Sequence, residues 1–126
     1  MLADKKAFSG FAVDDVDAAK RFYEETLGLP VKVMDEQNGV ASVELAGGRE
    51  TFFYAKADFQ PATYTILNFQ VEDIDATVDE LSSRGVSFER YDGFDQDDKA
   101  IARGPGPEIA WFKDPAGNIL AVMSEP

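Results

Sequence analysis

The eight residues Phe11-Ala-Val-Asp-Asp-Val-Asp-Ala18 return 58 positions later as Phe69-Gln-Val-Glu-Asp-Ile-Asp-Ala76. Five of the eight positions are identical, and Asp14 against Glu72 and Val16 against Ile74 keep charge or shape. Repetition of this kind marks an architecture assembled from copies of one unit. Each copy is preceded by a β-type stretch, residues 7–13 and residues 63–71. In the second, Leu67, Phe69 and Val71 alternate with Ile66, Asn68 and Gln70, the period-two pattern of a strand. Asp15 and Asp73 then stand where a helix N-cap belongs, since a carboxylate there accepts orphan N–H groups and meets the positive end of the dipole.

The spacing of Val16, Ala19, Phe22, Tyr23 and Leu27 predicts a helix over 16–27, stopped by Gly28. Ile74, Val78 and Leu81 predict a second over 74–84, stopped by Gly85. Strands are expected at 31–34, 40–45 and 50–55 after the first helix, and at 86–90, 108–112 and 119–124 after the second. Gly47-Gly48 suits a hairpin turn and Asp114-Pro-Ala-Gly-Asn118 a final turn. The fold class is therefore α+β, two βαβββ modules at about residues 7–57 and 63–124, linked through 58–62 within a single domain. Residues 93–107, rich in Gly, Pro and charge, fit no regular element. A loop of that length points to a mobile rim or lid over a cavity.

Composition narrows the chemistry. The 126 residues include ten Phe, four Tyr and one Trp, enough for a packed core, and neither Cys nor His. Disulfides, thiolate sites, Ser–His pairs and imidazole ligands are thereby excluded. A formal charge of −12 repels phosphate backbones and argues against nucleic-acid binding, while favouring a cationic ligand. The start, Met1-Leu-Ala-Asp-Lys-Lys6, leads into no signal-peptide core, and no stretch approaches a membrane span, so a cytoplasmic location is expected. Gly104-Pro-Gly-Pro107 is no phosphate cradle, because its prolines lack the N–H donors required. Lys99 and Arg103 read as solvated loop charges.

Taken together, the Phe-x-Val-x-Asp repeat, the run Arg21-Phe-Tyr-Glu-Glu-Thr-Leu-Gly28 and the closing Phe112-Lys-Asp-Pro-Ala-Gly-Asn118 resemble the vicinal oxygen chelate superfamily. That group holds glyoxalase, bleomycin-resistance proteins, fosfomycin-resistance enzymes and extradiol dioxygenases. The resemblance covers nearly the whole chain. It implies that the modules pair into a half-open, cup-like mixed β-barrel around one pocket, and it implies a homodimer. In metal-dependent members, His or Glu side chains at four inward strand positions hold a divalent ion. The matching positions here are Phe8, Ile66, Ala121 and Phe52, the last to within one residue. None offers a lone pair to a cation. No metal and no other cofactor is expected at them.

An apolar floor follows instead. Strand alternation adds Gly10 and Ala12 beside Phe8, Tyr54 beside Phe52, Asn68 and Gln70 beside Ile66, and Met123 beside Ala121. Trp111 should face the same way, with Ala110 and Phe112 packing under a helix. The expected ligand-binding set is Phe8, Phe52, Tyr54, Ile66, Asn68, Gln70, Trp111, Ala121 and Met123, with no catalytic residue identified. Aromatic faces stack on flat rings and attract cations. Asn68 and Gln70, if buried, need partners. The leading expectation is a metal-independent protein that binds or sequesters an aromatic or cationic small molecule of antibiotic-like kind, in the manner of bleomycin-resistance proteins. The alternatives are a metal-independent lyase or isomerase acting on a small metabolite or natural product, and a small-molecule sensor module.

Overall fold

Both helices start at a carboxylate. In the computed structural model, which describes residues 1–125, Asp15 Oδ1 accepts the Ala18 amide at 3.0 Å and Asp73 Oδ1 accepts the Ala76 amide at 3.0 Å. The chain divides into two units, Met1–Gln60 and a second beginning at Pro61. The first runs β1 (Ser9–Val13), α1 (Val16–Arg21), β2 (Val31–Asp35), β3 (Val40–Leu45) and β4 (Arg49–Ala55). The second runs β5 (Thr65–Val71), α2 (Ile74–Ser83), β6 (Ile109–Lys113) and β7 (Ile119–Ser124). The fold is α+β, with an open mixed sheet in each unit. Among the described residues no helix is long and apolar enough to cross a membrane.

The first sheet is ordered β1-β4-β3-β2, with β1 parallel to β4 and the remaining pairs antiparallel. Gly47 and Gly48, with φ of 81° and 71°, close the β3–β4 hairpin in the left-handed region that glycine tolerates best. The α-helix stops at Arg21, short of the expected Leu27. A π turn over Phe22–Thr26 continues it, closed by a Leu27 N–H to Phe22 C=O bond of 3.0 Å. This wider turn seats Tyr23, which is fully buried against Phe53 at 5.8 Å and Phe11 at 5.6 Å between ring centroids. Phe11, Val13, Ala41, Val43 and Phe53 complete the core on that side of the sheet.

The second sheet is ordered β5-β7-β6, again with its first pair parallel. Ile74, Val78 and Leu81 of α2 are buried, as are Ala110, Phe112, Leu120 and Val122, and α2 lies against β7. The strand expected over 86–90 shrinks to a single bridge, Phe88 to Phe112, with the Glu89 amide on the Trp111 carbonyl at 2.8 Å. The cause is a side chain. Gln96 Oε1 accepts the Tyr91 amide at 2.9 Å and Gln96 Nε2 donates to the Glu89 carbonyl at 2.9 Å, so this backbone is satisfied without a ladder. The final turn forms as read, with the Asn118 amide on Asp114 Oδ1 at 2.8 Å. Asn118 Oδ1 also accepts the Ala62 amide at 3.0 Å.

Residues 93–107, expected as a mobile rim or lid over a cavity, are bonded along much of their length to the rest of their own unit. Ala102 bridges both Gln96 and Ile109, and Ile101 is fully buried. Asp97 Oδ1 accepts the Lys99 and Ile101 amides, each at 2.9 Å. Arg103, read as a solvated charge, meets three carboxylates: Asp75 on α2 at 2.7 Å, Asp97 at 2.8 Å and Glu108. Lys99 reaches Asp79 of α2 at 3.0 Å and Asp75 at 3.6 Å. The segment is thus fastened to its own helix. Single exposed pairs contribute little, but a shared network fixes geometry.

Two expectations follow. Phe53→Ala should lower unfolding free energy by about 3–5 kcal/mol in urea titrations, the usual cost of emptying a buried aromatic site. Phe52→Ala, on the opposite face and half-buried, should cost clearly less; equal losses would contradict the two-faced sheet. The second concerns pH. Burial works against the Asp97 carboxylate, but its bonds to the Ile101 amide, Arg103 and the Lys99 amide outweigh this and hold its pKa below the ordinary value. A carboxyl group depressed on folding stabilises fully above its unfolded pKa and loses that contribution as pH falls through the lowered one. Protection of the Ile101 and Lys99 amides against hydrogen exchange, corrected for intrinsic rates, should therefore drop below about pH 4, and Asp97→Ala should lack it already at pH 7.

Candidate functional site

The face of the first sheet turned away from Tyr23 carries Phe52 and Tyr54 of the expected set. Register sets Gly10 opposite Phe52 and Ala12 opposite Tyr54. The two small β1 residues leave room for the rings. A Cβ at Gly10 would lie 3.7 Å from Tyr54 Cε1, which places that ring over the strand. Phe8, just ahead of β1, leans on Phe52 with ring centroids 4.7 Å apart. Phe8 remains 62% exposed and Tyr54 40%, large values for aromatic rings. A solvent-open aromatic patch is what this produces.

On the second sheet, Asn68, Ala121 and Trp111 lie in one cross-strand row, and Gln70, Met123 and Ile109 in the next. Ala121 is fully buried, while Trp111 and Met123 are half-buried. Two details of β5 were not visible in the pattern of the sequence. Asn68 and Gln70 are exposed, so their amides bear no desolvation cost and stand open to a polar partner. Ile66 falls in an irregularity: Thr65 pairs with Ile119 and Leu67 with Leu120, so Ile66 is the extra residue of a bulge and has no partner across the sheet. Strict alternation cannot be carried through it.

Sequence reading missed Tyr91 and Phe94. Tyr91 meets the Trp111 ring edge-on at 5.5 Å, and Phe94 lies on the same indole at 4.8 Å. The Tyr91 hydroxyl is buried and has no hydrogen-bond partner among the described residues. Burial, reinforced by the nearby Glu89 carboxylate, raises its pKa, so it keeps its proton. Glu89 itself pairs with Lys113 at 3.6 Å. Both aromatics fall in irregular backbone, where no periodicity announces a facing direction; only their presence beside an Asp-Gly turn hinted at a cluster. Separately, an open groove of about 390 Å³ lies between α2 and the segments 86–90 and 98–100, lined by Val78, Ser82, Phe88 and Lys99 among others. None of the expected ligand-binding residues borders it.

The donor set does not suit a divalent ion. Phe8, Phe52, Ile66 and Ala121 carry only hydrocarbon, and among the described residues no group of three or more acidic side chains is placed to hold one.

Comparison with known proteins places these features in a family. The chain is 28% identical over 123 residues to the uncharacterized protein YraH of Bacillus subtilis (strain 168), covering 87% of this chain and 90% of that protein. Its fold matches the crystal structure of a putative glyoxalase family protein from Bacillus anthracis, with a TM-score of 0.72, 23% identity and full coverage of both chains. It also matches TnmS3, an antibiotic binding protein from Streptomyces sp. CB03234, with a TM-score of 0.71, 24% identity and 98% coverage of each. The family model matches from residue 8 to residue 122, and the chain belongs to the Glyoxalase/Bleomycin resistance protein/Dioxygenase superfamily.

Proposed function

We propose that this protein binds and sequesters a flat aromatic or cationic small molecule of antibiotic-like kind, without a metal and without changing it. The observation that carries the reading is the chemistry of the four positions at which metal-dependent relatives keep their ligands. Here they hold Phe8 and Phe52 in the first unit, where Tyr54 shares the strand face of Phe52, and Ile66 and Ala121 in the second, where Trp111 pairs with Ala121. Hydrocarbon and π faces offer stacking and area, which is what retention of a flat guest requires. Asn68 and Gln70 supply exposed amides, and Met123 a deformable apolar neighbour. The charge of −12 favours a cation over an anion of the same shape. That TnmS3, of the same fold, is an antibiotic binding protein agrees with this reading.

The reading extends to a cytoplasmic homodimer that engages neither nucleic acid nor membrane. A lyase or isomerase remains the competing class, and the two part company in one experiment. Trp111 is the single tryptophan, so its fluorescence reports locally. Proflavine, a planar cation, should quench it saturably and more tightly than a planar aromatic sulfonate. Chelator should leave the titration unchanged, and the dye should be recovered intact by mass spectrometry. Absence of saturable quenching by any planar aromatic compound would sink the binding role, and metal-independent conversion of a bound compound would establish the enzyme.

A further inference from the structure

The aromatic cluster on β6 carries a more specific reading, which rests on the binding role just proposed. Phe94 is 55% exposed, yet its ring lies 4.8 Å from that of Trp111. An apolar side chain so open to water gains little burial there, so it is held chiefly by its ring neighbour. Its backbone adds little restraint: the Phe94 amide makes only a long 3.4 Å contact with the Tyr91 carbonyl. Gly93, immediately before it, sits at φ 90°, a conformation from which glycine can swing. The bonds of Gln96 to Tyr91 and Glu89, and of Asp97 to Ile101, fasten the chain on either side and leave residues 92–95 as the stretch between them. Beside the same indole, the Tyr91 hydroxyl is buried without a partner, an arrangement that disfavours the conformation in which it occurs.

We propose that Phe94 is a built-in stand-in for the guest: its ring, tilted at 58° against Trp111, holds that place until a flat aromatic ligand takes it, and that ligand accepts a hydrogen bond from the Tyr91 hydroxyl. The two observations complement each other. Departure of Phe94 uncovers indole surface of the size and shape of one aromatic ring. Edge-on to the same indole stands Tyr91, whose buried hydroxyl has a proton to give and no acceptor among the described residues. The acceptor is an uncharged one, a ring carbonyl, because Glu89 flanks the phenol and would repel a carboxylate. The guest class is therefore a planar aromatic ketone or quinone-like ring system, with Tyr91 its specificity-determining residue.

Fluorenone and fluorene, flat molecules that differ in one carbonyl, test this against the intact protein by equilibrium dialysis and Trp111 quenching. Wild type should prefer fluorenone. Phe94→Ala should bind both about two- to ten-fold more tightly, because it removes the internal competitor. Tyr91→Phe should erase the preference for fluorenone while retaining fluorene, and should raise the melting temperature, since it deletes an unsatisfied polar group. Weaker binding in Phe94→Ala would show that Phe94 is a wall of the site and overturn the stand-in. A preference for fluorenone that survives Tyr91→Phe would overturn the role of the hydroxyl. If neither these compounds nor proflavine binds wild type at all, it is the binding function itself that fails.

Discussion

Tyr23 and Phe53 fix what the rest of the first unit can do. Both rings are fully removed from water and stack at 5.8 Å, joining the helix to the middle of the sheet. Because side chains alternate along a strand, committing Phe53 to the helix commits Phe52 and Tyr54 to the opposite face. A slip of one residue would exchange the two sets and bury Tyr54 and Phe52 under α1. The aromatic patch is thus held in place by the core behind it, without needing stabilising contacts of its own. In the second unit Leu120 and Val122 play the same part, and Ala121 and Met123 are turned the other way by the same rule.

Legibility from sequence followed that logic and failed where it stopped applying. The repeated Phe-x-Val-x-Asp segment gave both caps and the strand that precedes each helix, because capping and alternation are local properties of consecutive residues, whereas the parallel pairing of those strands came only with the fold. Strands β3 and β7 emerged with the bounds read from pattern alone. Ile66 escaped because a bulge adds a residue that period-two counting cannot see. The lost strand at 86–90 turned on Gln96, a polar side chain that satisfies backbone seven residues away and leaves no trace in hydrophobic pattern. Arg103 was invisible for a related reason. Its partners Asp75, Asp97 and Glu108 are brought together only by the folded chain.

The same limit hid Tyr91 and Phe94, and there the physical lesson differs. Irregular backbone sends side chains in directions set by individual turns, so Trp111 could be placed by alternation while its two ring neighbours could not. A family resemblance helped with the regular positions and was silent about these. Residues that distinguish one guest from another are drawn from such segments, since loops vary while the strands that carry them keep the fold.

What the strands contribute is a change in the kind of binding available. A divalent ion holds a ligand through a few directional bonds to donor atoms, and demands those atoms of both protein and guest. With hydrocarbon at the corresponding positions, attraction must come from covered area, at roughly 2.5 kcal/mol for each 100 Å² of apolar surface withdrawn from water. Area of this kind rewards flatness and size and is indifferent to most substituents. Selectivity then falls to the few polar groups that border the aromatic faces: the open amides of Asn68 and Gln70, and a tyrosine hydroxyl whose hydrogen bond is not yet made. On the proposed reading, a protein so constructed would retain a range of planar molecules while orienting only those that carry an acceptor in the right place.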